Sequence, residues 1–506
     1  MSEESASILY DIAVIGGGVN GCGIARDAAG RGARVLLLER GDLAHGTSSA
    51  STKLIHGGLR YLEHFEFSLV REALAERERL WGIAPHIIHP MRFVLPWTRG
   101  LRPRWMLRLG LFLYDHLGGR RALPATETVD LRRHPAGVPL RPGFRTGFCY
   151  SDGWVDDARL VVLNARDAAD RGAEVRPRVE VTALARGDDD WTITACGQGG
   201  APREWRARIV VNATGPSVLD VMRRARSQAE RSMRLVRGSH IVVRRLFTHD
   251  HAYFLQLPDG RIFFAIPYER DFTLIGTTDR DHRGSLDHVR PSGEEIDYLC
   301  DAANRYFARP IHPSDVIWSY AGVRPLVDDG SGRPEAATRG YRLELDGGDG
   351  QPPMLNIFGG KITTYRHLAA EAVDRIRPFL PGMGNEDWTA GAALPGGDFA
   401  PMELPSLLAG IARTYPFLDA HTVDRIGRAY GTRARVWLGQ AESRAALGRD
   451  FGHGLTEAEV VYLVDREWAH NAEDILWRRT KLGLRFDATQ RAGLAAWLDD
   501  RVGVGR

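Results

Sequence analysis

The chain has 506 residues, 43% hydrophobic and 26% charged, with a formal net charge of +3. That composition describes a globular protein of two or three domains, and it excludes disordered, collagen-like and strongly basic nucleic-acid-binding classes. Cys22, Cys149, Cys196 and Cys300 are widely spaced, with no CxxC or Cys/His cluster, so neither a metal site nor a disulfide framework is expected and a reducing cytoplasmic compartment fits.

Residues 1–7 are acidic and polar, so no signal peptide is expected, and no 18-residue apolar run predicts a spanning helix. Residues 8–15 (ILYDIAVI) read as a buried parallel strand ending in glycines. Residues 16–31 carry Ile24, Ala25, Ala28 and Ala29 on one helical face, and residues 33–39 (ARVLLLE) form a second buried strand. Further strands are expected at 174–183, 191–195 and 209–212, the last running into Ala213-Thr214-Gly215. Residues 239–244, 261–267 and 272–276 suggest a more antiparallel sheet. Residues 353–358 lead through Gly359-Gly360 to Lys361 and a helix over 363–377. After a Pro/Gly-rich linker, helical patterns dominate from Leu404 onward, which places a boundary near 386.

Gly16-Gly17-Gly18-Val19-Asn20-Gly21 is a GxGxxG turn with a strand before it and a helix after it. Gly16 permits the tight turn, Gly18 lets a pyrophosphate approach the backbone, and Gly21 permits close helix–sheet packing. Glu39 closes the second strand, where a carboxylate accepts ribose hydroxyls. Together these predict an adenine-dinucleotide site but do not choose between FAD and NAD.

Only Lys53, Lys361 and Lys481 are lysine among 67 Lys and Arg residues. Lys361 stands at a strand-to-helix turn, where a compact ammonium fits better than a guanidinium. There it can face an anion beside the backbone amides that open the helix, with Thr363 next to it. Lys481 reads as a surface residue.

Residues 46–61 read GTSSASTKLIHGGLRY, preceded by a DxAx pattern. YSDGWVDDARL follows at 150–160, GSHIVV at 238–243, IGTTD at 275–279, AGVRPL at 321–326 and FGGKITTYR at 358–366. DFGHGLTEAEVVYLVDREWA and DILWRRTKLGL lie near the C-terminus. In this order the motifs resemble those of the aerobic, FAD-dependent glycerol-3-phosphate dehydrogenases, within the larger D-amino-acid-oxidase-like flavoproteins. One departure is Cys22, where the family's first helix carries a small residue such as alanine. The resemblance implies an α/β Rossmann-like FAD-binding domain with an antiparallel-sheet substrate region over residues 1–385. It adds an all-α C-terminal domain over 386–506.

The implied reaction oxidises sn-glycerol 3-phosphate at C2 to dihydroxyacetone phosphate, with hydride passing to flavin N5 and electrons to a membrane quinone. The resemblance places FAD contacts at Ser48, Ser49, Ser51, Lys53, Gly57, Ala213, Gly215, Lys361 and Thr363. A buried phosphate calls for cationic donors. Arg60 and Arg324 sit among Gly, Pro and apolar neighbours in the matching motifs, Arg339 lies in a more polar loop, and Tyr61 bounds the substrate pocket. His56 is either the general base for the C2 hydroxyl or a hydrogen-bond donor beside the isoalloxazine. Arg324 is the alternative group for orienting that hydroxyl.

Residues 97–121 mix Trp, Leu, Met and Phe with six arginines, which predicts a basic amphipathic helix lying on the inner face of the cell membrane. The competing reading is a core helix whose arginines pair or snorkel. Three rival functions stay open: an oxidase that passes electrons to O₂, a D-amino-acid-oxidase-like enzyme, and a non-catalytic flavin-binding sensor. A homo-oligomer is neither required nor excluded.

Overall fold

The computed structural model describes residues 8–98, 102–118, 123–197, 199–227, 232–258, 260–327, 340–348 and 350–503. Its first sheet grows from the N-terminal apolar run. Leu9–Ile15 pairs in parallel with Val35–Glu39 on one side and Arg203–Asn212 on the other. Glu174–Pro177 extends one edge in parallel. Met354–Gly359 extends the other, followed by the antiparallel Tyr341–Asp346. The central strands are buried on both faces, hence their continuous apolar sequence. Helices Val19–Gly30, Asp157–Asp170 and Tyr365–Ile376 cover one face through a core that includes Ile24, Val161 and Leu368. An antiparallel excursion, Val179–Arg186 and Trp191–Gly197, covers the other around the buried Trp191.

The second sheet is mostly antiparallel. Met233–Arg244, Phe272–Gly276, Ile262–Tyr268 and Ala252–Gln256 lie side by side, and Val316–Val327 runs antiparallel along the whole of Met233–Arg244. One parallel contact joins Ala252–Gln256 to Ile88–Trp97, which pairs in turn with Thr146–Val155. This sheet is far larger than the three predicted strands. Its pairings are long-range, so local pattern could not reveal them.

The C-terminal region is helical, with a core that includes Ile411, Tyr430, Leu463 and Leu494. It also holds a short ribbon of Asp450–Gly452 and Leu455–Thr456. The predicted amphipathic segment begins later than expected. Trp97 ends a strand, and the helix runs Arg104–Leu117 after Pro103, which cannot donate an N–H but suits a helix start. Arg120 and Arg121 lie outside the described residues. No helix among the described residues is long and apolar enough to cross a membrane.

Candidate flavin and substrate site

A cavity of about 850 Å³ runs between the two sheets. At one end the strand Leu9–Ile15 delivers the glycine turn. Gly16 has φ +112°, and a Cβ on it would lie 2.7 Å from the Ala213 carbonyl; one on Gly21 would lie 1.9 Å from the Gly16 carbonyl. The turn therefore needs glycine at both positions. Gly18 caps the helix Val19–Gly30 without a side-chain hydrogen bond of its own, and the Val19 amide donates to Ser48 Oγ at 3.0 Å. Glu39 accepts the Gly17 amide at 2.6 Å and the Gly41 amide at 2.7 Å, which fixes its carboxylate on the cavity wall. Ala213 and Gly215 close this end from the adjacent parallel strand.

At the other end the FGGK turn and the second sheet meet. Lys361 Nζ is buried with no hydrogen-bond partner among the described residues, 4.0 Å from the centre of the Tyr61 ring. Arg324 is half-exposed. It donates to Asp279 at 2.7 Å, Thr277 Oγ1 at 3.1 Å and the Thr278 carbonyl at 3.2 Å. Gly238 on the paired strand leaves it room, since a Cβ there would lie 2.1 Å from Arg324 Nη2. His56 lines the cavity, its backbone N–H donating to Thr363 Oγ1 at 3.3 Å.

His240 was not singled out from the sequence, although it lies in the GSHIVV motif. It is buried on the cavity wall and stacks on Tyr320 at 4.8 Å. Its Nε2 is 2.9 Å from Thr52 Oγ1, and its Nδ1 has no hydrogen-bond partner among the described residues. Burial, then the charges of Arg324 and Lys53, push its pKa well below the usual histidine range, so the ring is neutral at pH 7. The signal available in sequence was a polar ring flanked by glycine and serine at the head of an apolar strand.

Of the expected contacts, Gly16, Gly18, Glu39, Ser48, Ser49, Ser51, His56, Tyr61, Ala213, Gly215, Arg324, Lys361 and Thr363 all line the cavity. Three others lie behind the wall. Gly21 packs under the glycine turn, and Gly57 donates its amide to Tyr114 Oη. Lys53 is fully buried on Asp157 Oδ1 at 2.6 Å, because Asp157 also anchors Ser51 at 2.7 Å and needs a counter-charge. The surface reading of Lys481 is also corrected: it is buried and paired with Asp156 at 2.9 Å. Arg339 and the Arg60 side chain lie outside the described residues.

The helical C-terminal region contributes to the wall through Glu473, Trp477, Arg478 and Lys481, with Trp477 stacked on Trp318 at 4.3 Å. Arg479 secures this segment with bonds of 2.6 and 2.8 Å to Asp42.

The glycine turn at a helix start whose Gly18 offers no side-chain cap, and the carboxylate at the strand end, fit a flavin dinucleotide. Two sheets of this kind around such a cavity define a flavin-dependent oxidoreductase of the D-amino-acid-oxidase architecture. Comparison with known proteins agrees. Residues 11–366 match the FAD-dependent oxidoreductase family, and residues 388–496 match the C-terminal domain of alpha-glycerophosphate oxidase. The chain is 51% identical to a D-erythritol 1-phosphate dehydrogenase from Brucella abortus, over 97% of this chain and 98% of the relative. It is 50% identical to a glycerol-3-phosphate dehydrogenase from Pseudomonas aeruginosa, over 97% of this chain and 95% of that one. The crystal structure of the glycerol-3-phosphate dehydrogenase from Bacillus halodurans complexed with FAD superposes with a TM-score of 0.79 at 26% identity, covering 99% of this chain and 91% of that one. The chain belongs to the FAD-dependent glycerol-3-phosphate dehydrogenase family.

Proposed function

We propose that the protein oxidises sn-glycerol 3-phosphate at C2 to dihydroxyacetone phosphate and hands the two electrons to a membrane quinone. The observation that carries the substrate reading is Lys361, a buried ammonium on the cavity wall without a hydrogen-bond partner among the described residues. A phosphate would satisfy it, and Arg324 across the same cavity supplies further donors. Arg60 and Arg339 are proposed to add to this phosphate grip.

Gly16, Gly18 and the following helix start would hold the pyrophosphate, Glu39 the ribose, and Ser48, Ser49, Ser51 and Thr363 the remaining polar groups. When bound, FAD supplies the two-electron acceptor for the C2 hydride. The hydroxyl proton goes to a wall histidine. His240 is held neutral by burial, the state a base requires, and His56 is the second candidate.

The acceptor reading rests on the Arg104–Leu117 helix. It exposes Trp105, Leu109, Phe112 and Leu113 together, with Phe65 and Phe67 also exposed on the segment it packs against. Arg104 and Arg108 flank this apolar surface. Such a surface suits an anionic bilayer on the cytoplasmic side, where a lipid-soluble quinone is met.

The test is to purify the yellow protein, identify its flavin and add sn-glycerol 3-phosphate without oxygen. Bleaching of the flavin supports the substrate; an unbleached flavin rejects it. Stopped-flow reoxidation by O₂ against a quinone analogue decides the acceptor. A second reading, D-erythritol 1-phosphate as substrate, is supported by the 51% identical relative. Faster bleaching by that compound would favour it.

A further inference from the structure

The Arg104–Leu117 helix exposes one face and buries Leu111 and Tyr114 on the other. Tyr114 Oη accepts the Gly57 backbone N–H at 2.8 Å and lies 2.8 Å from each carboxylate oxygen of Asp152. Asp152 is also paired with Arg77 Nη1 at 2.9 Å, and that same nitrogen donates to the Ser151 carbonyl at 3.0 Å. All three side chains are buried. Burial, then the Asp152 charge, raise the Tyr114 phenol well above its usual pKa, so the hydroxyl keeps its proton. It donates that proton to Asp152 and offers a lone pair to Gly57.

Gly57 directly follows His56, whose side chain lines the cavity. The turn is thus gripped from two sides: by Thr363 at the His56 amide, and at the Gly57 amide by Tyr114 at 2.8 Å with Asp152 Oδ1 as the longer second acceptor at 3.4 Å. Two backbone hydrogen bonds in a buried setting fix where the imidazole projects, and small displacements of a reacting group cost rate steeply. We propose that Tyr114 is a positioning residue for the reaction, holding the His56–Gly57 turn through the Gly57 N–H. The helix whose outer face is apolar therefore also forms part of the active-site scaffold. The choice of assay substrate rests on the function proposed above; the structural claim does not.

Tyr114→Phe removes the nearer acceptor of the Gly57 N–H, leaving only Asp152 Oδ1 at 3.4 Å, and keeps the ring, which packs edge-on to Tyr150 at 6.0 Å. Leu111→Ala is the control: it loosens the same helix at a buried position without touching the turn. Both are compared with wild type as FAD-loaded protein, by the limiting rate of anaerobic flavin bleaching with sn-glycerol 3-phosphate and by hydrogen–deuterium exchange at the Gly57 amide. The expected result for Tyr114→Phe is a roughly tenfold slower limiting rate, KM within about twofold of wild type, and faster Gly57 exchange. Leu111→Ala should lower Tm and leave both readouts unchanged. An unchanged rate and exchange in Tyr114→Phe overturns the proposal, as does a parallel loss in both variants. A wild-type flavin that sn-glycerol 3-phosphate fails to bleach rejects the substrate, and the exchange arm then decides the positioning role alone.

Discussion

Where the helical C-terminal region meets the rest of the molecule, buried cations find carboxylates. Arg479 bonds Asp42 twice, Arg159 pairs with Glu467, and Lys481 meets Asp156. At the end of the cavity where the FGGK turn lies, Lys361 is half-buried and its ammonium is buried, but that ammonium has no hydrogen-bond partner among the described residues, only the face of Tyr61. A buried charge without a counter-charge is costly. On the function proposed above, the unpaired ammonium marks a place for an anion, whereas the paired cations hold two regions in register. The three lysines divide on this line: Lys53 and Lys481 are tied to adjacent aspartates, and Lys361 is not.

The comparison breaks first at the join. Arg479→Met leaves Asp42 with Arg478 alone and is expected to cost about 3–5 kcal/mol of stability, read as a lowered denaturant midpoint. A loss below about 1 kcal/mol would mean that the pair does not hold the regions together.

The opposite profile is expected at the cavity. Lys361→Met should lower kcat/KM for sn-glycerol 3-phosphate by about 10²–10³-fold, or roughly 3–4 kcal/mol, while Tm and FAD content hold. Lys361→Arg should recover little, because the wider fork does not fit the turn.

Acidification sharpens the contrast at a third position. His86 is buried beside Arg159 at the join, and burial, then that charge, push its pKa down to about 3. The native ring stays neutral while the unfolded ring protonates near 6.5, so the unfolded state binds more protons as pH falls. The stability is complete above about pH 6.5 and declines below it, by about 2 kcal/mol at pH 5 from this one group. Denaturant midpoints at pH 7.5 and 5 measure it, and His86→Phe should remove that part of the slope.

The smallest effect on the folded enzyme is expected on the exposed face. Leu109→Asp with Phe112→Asp should change stability by no more than about 0.5 kcal/mol per site and leave dye-linked oxidation intact. The same pair should release the protein from anionic liposomes and slow quinone reduction. Unchanged liposome binding would count against the membrane surface.

What the sequence revealed follows the range of the interactions. The glycine turn, its flanking strands and Glu39 are contiguous, so one βαβ unit displays the whole dinucleotide end. The FGGK turn likewise marked Lys361. Lys481 was misread as a surface residue because its partner Asp156 is 325 positions away, and nothing local announces a buried ion pair. The buried pairing of Lys53 stayed hidden for the same reason, its partner Asp157 being 104 positions away. His240 escaped notice because its setting depends on pairing between Met233–Arg244 and Val316–Val327, which brings Tyr320 beneath its ring. The Trp97 segment looked helical throughout, but pairing with Thr146 draws its start into a strand.

The central claim is that Lys361 holds the place of a substrate phosphate. The most direct measurement is single-turnover flavin bleaching by sn-glycerol 3-phosphate, without oxygen, in Lys361→Met protein carrying a full complement of FAD. A loss of two orders of magnitude or more in the second-order bleaching rate, with Tm unchanged, is the predicted result. A rate equal to wild type would contradict it.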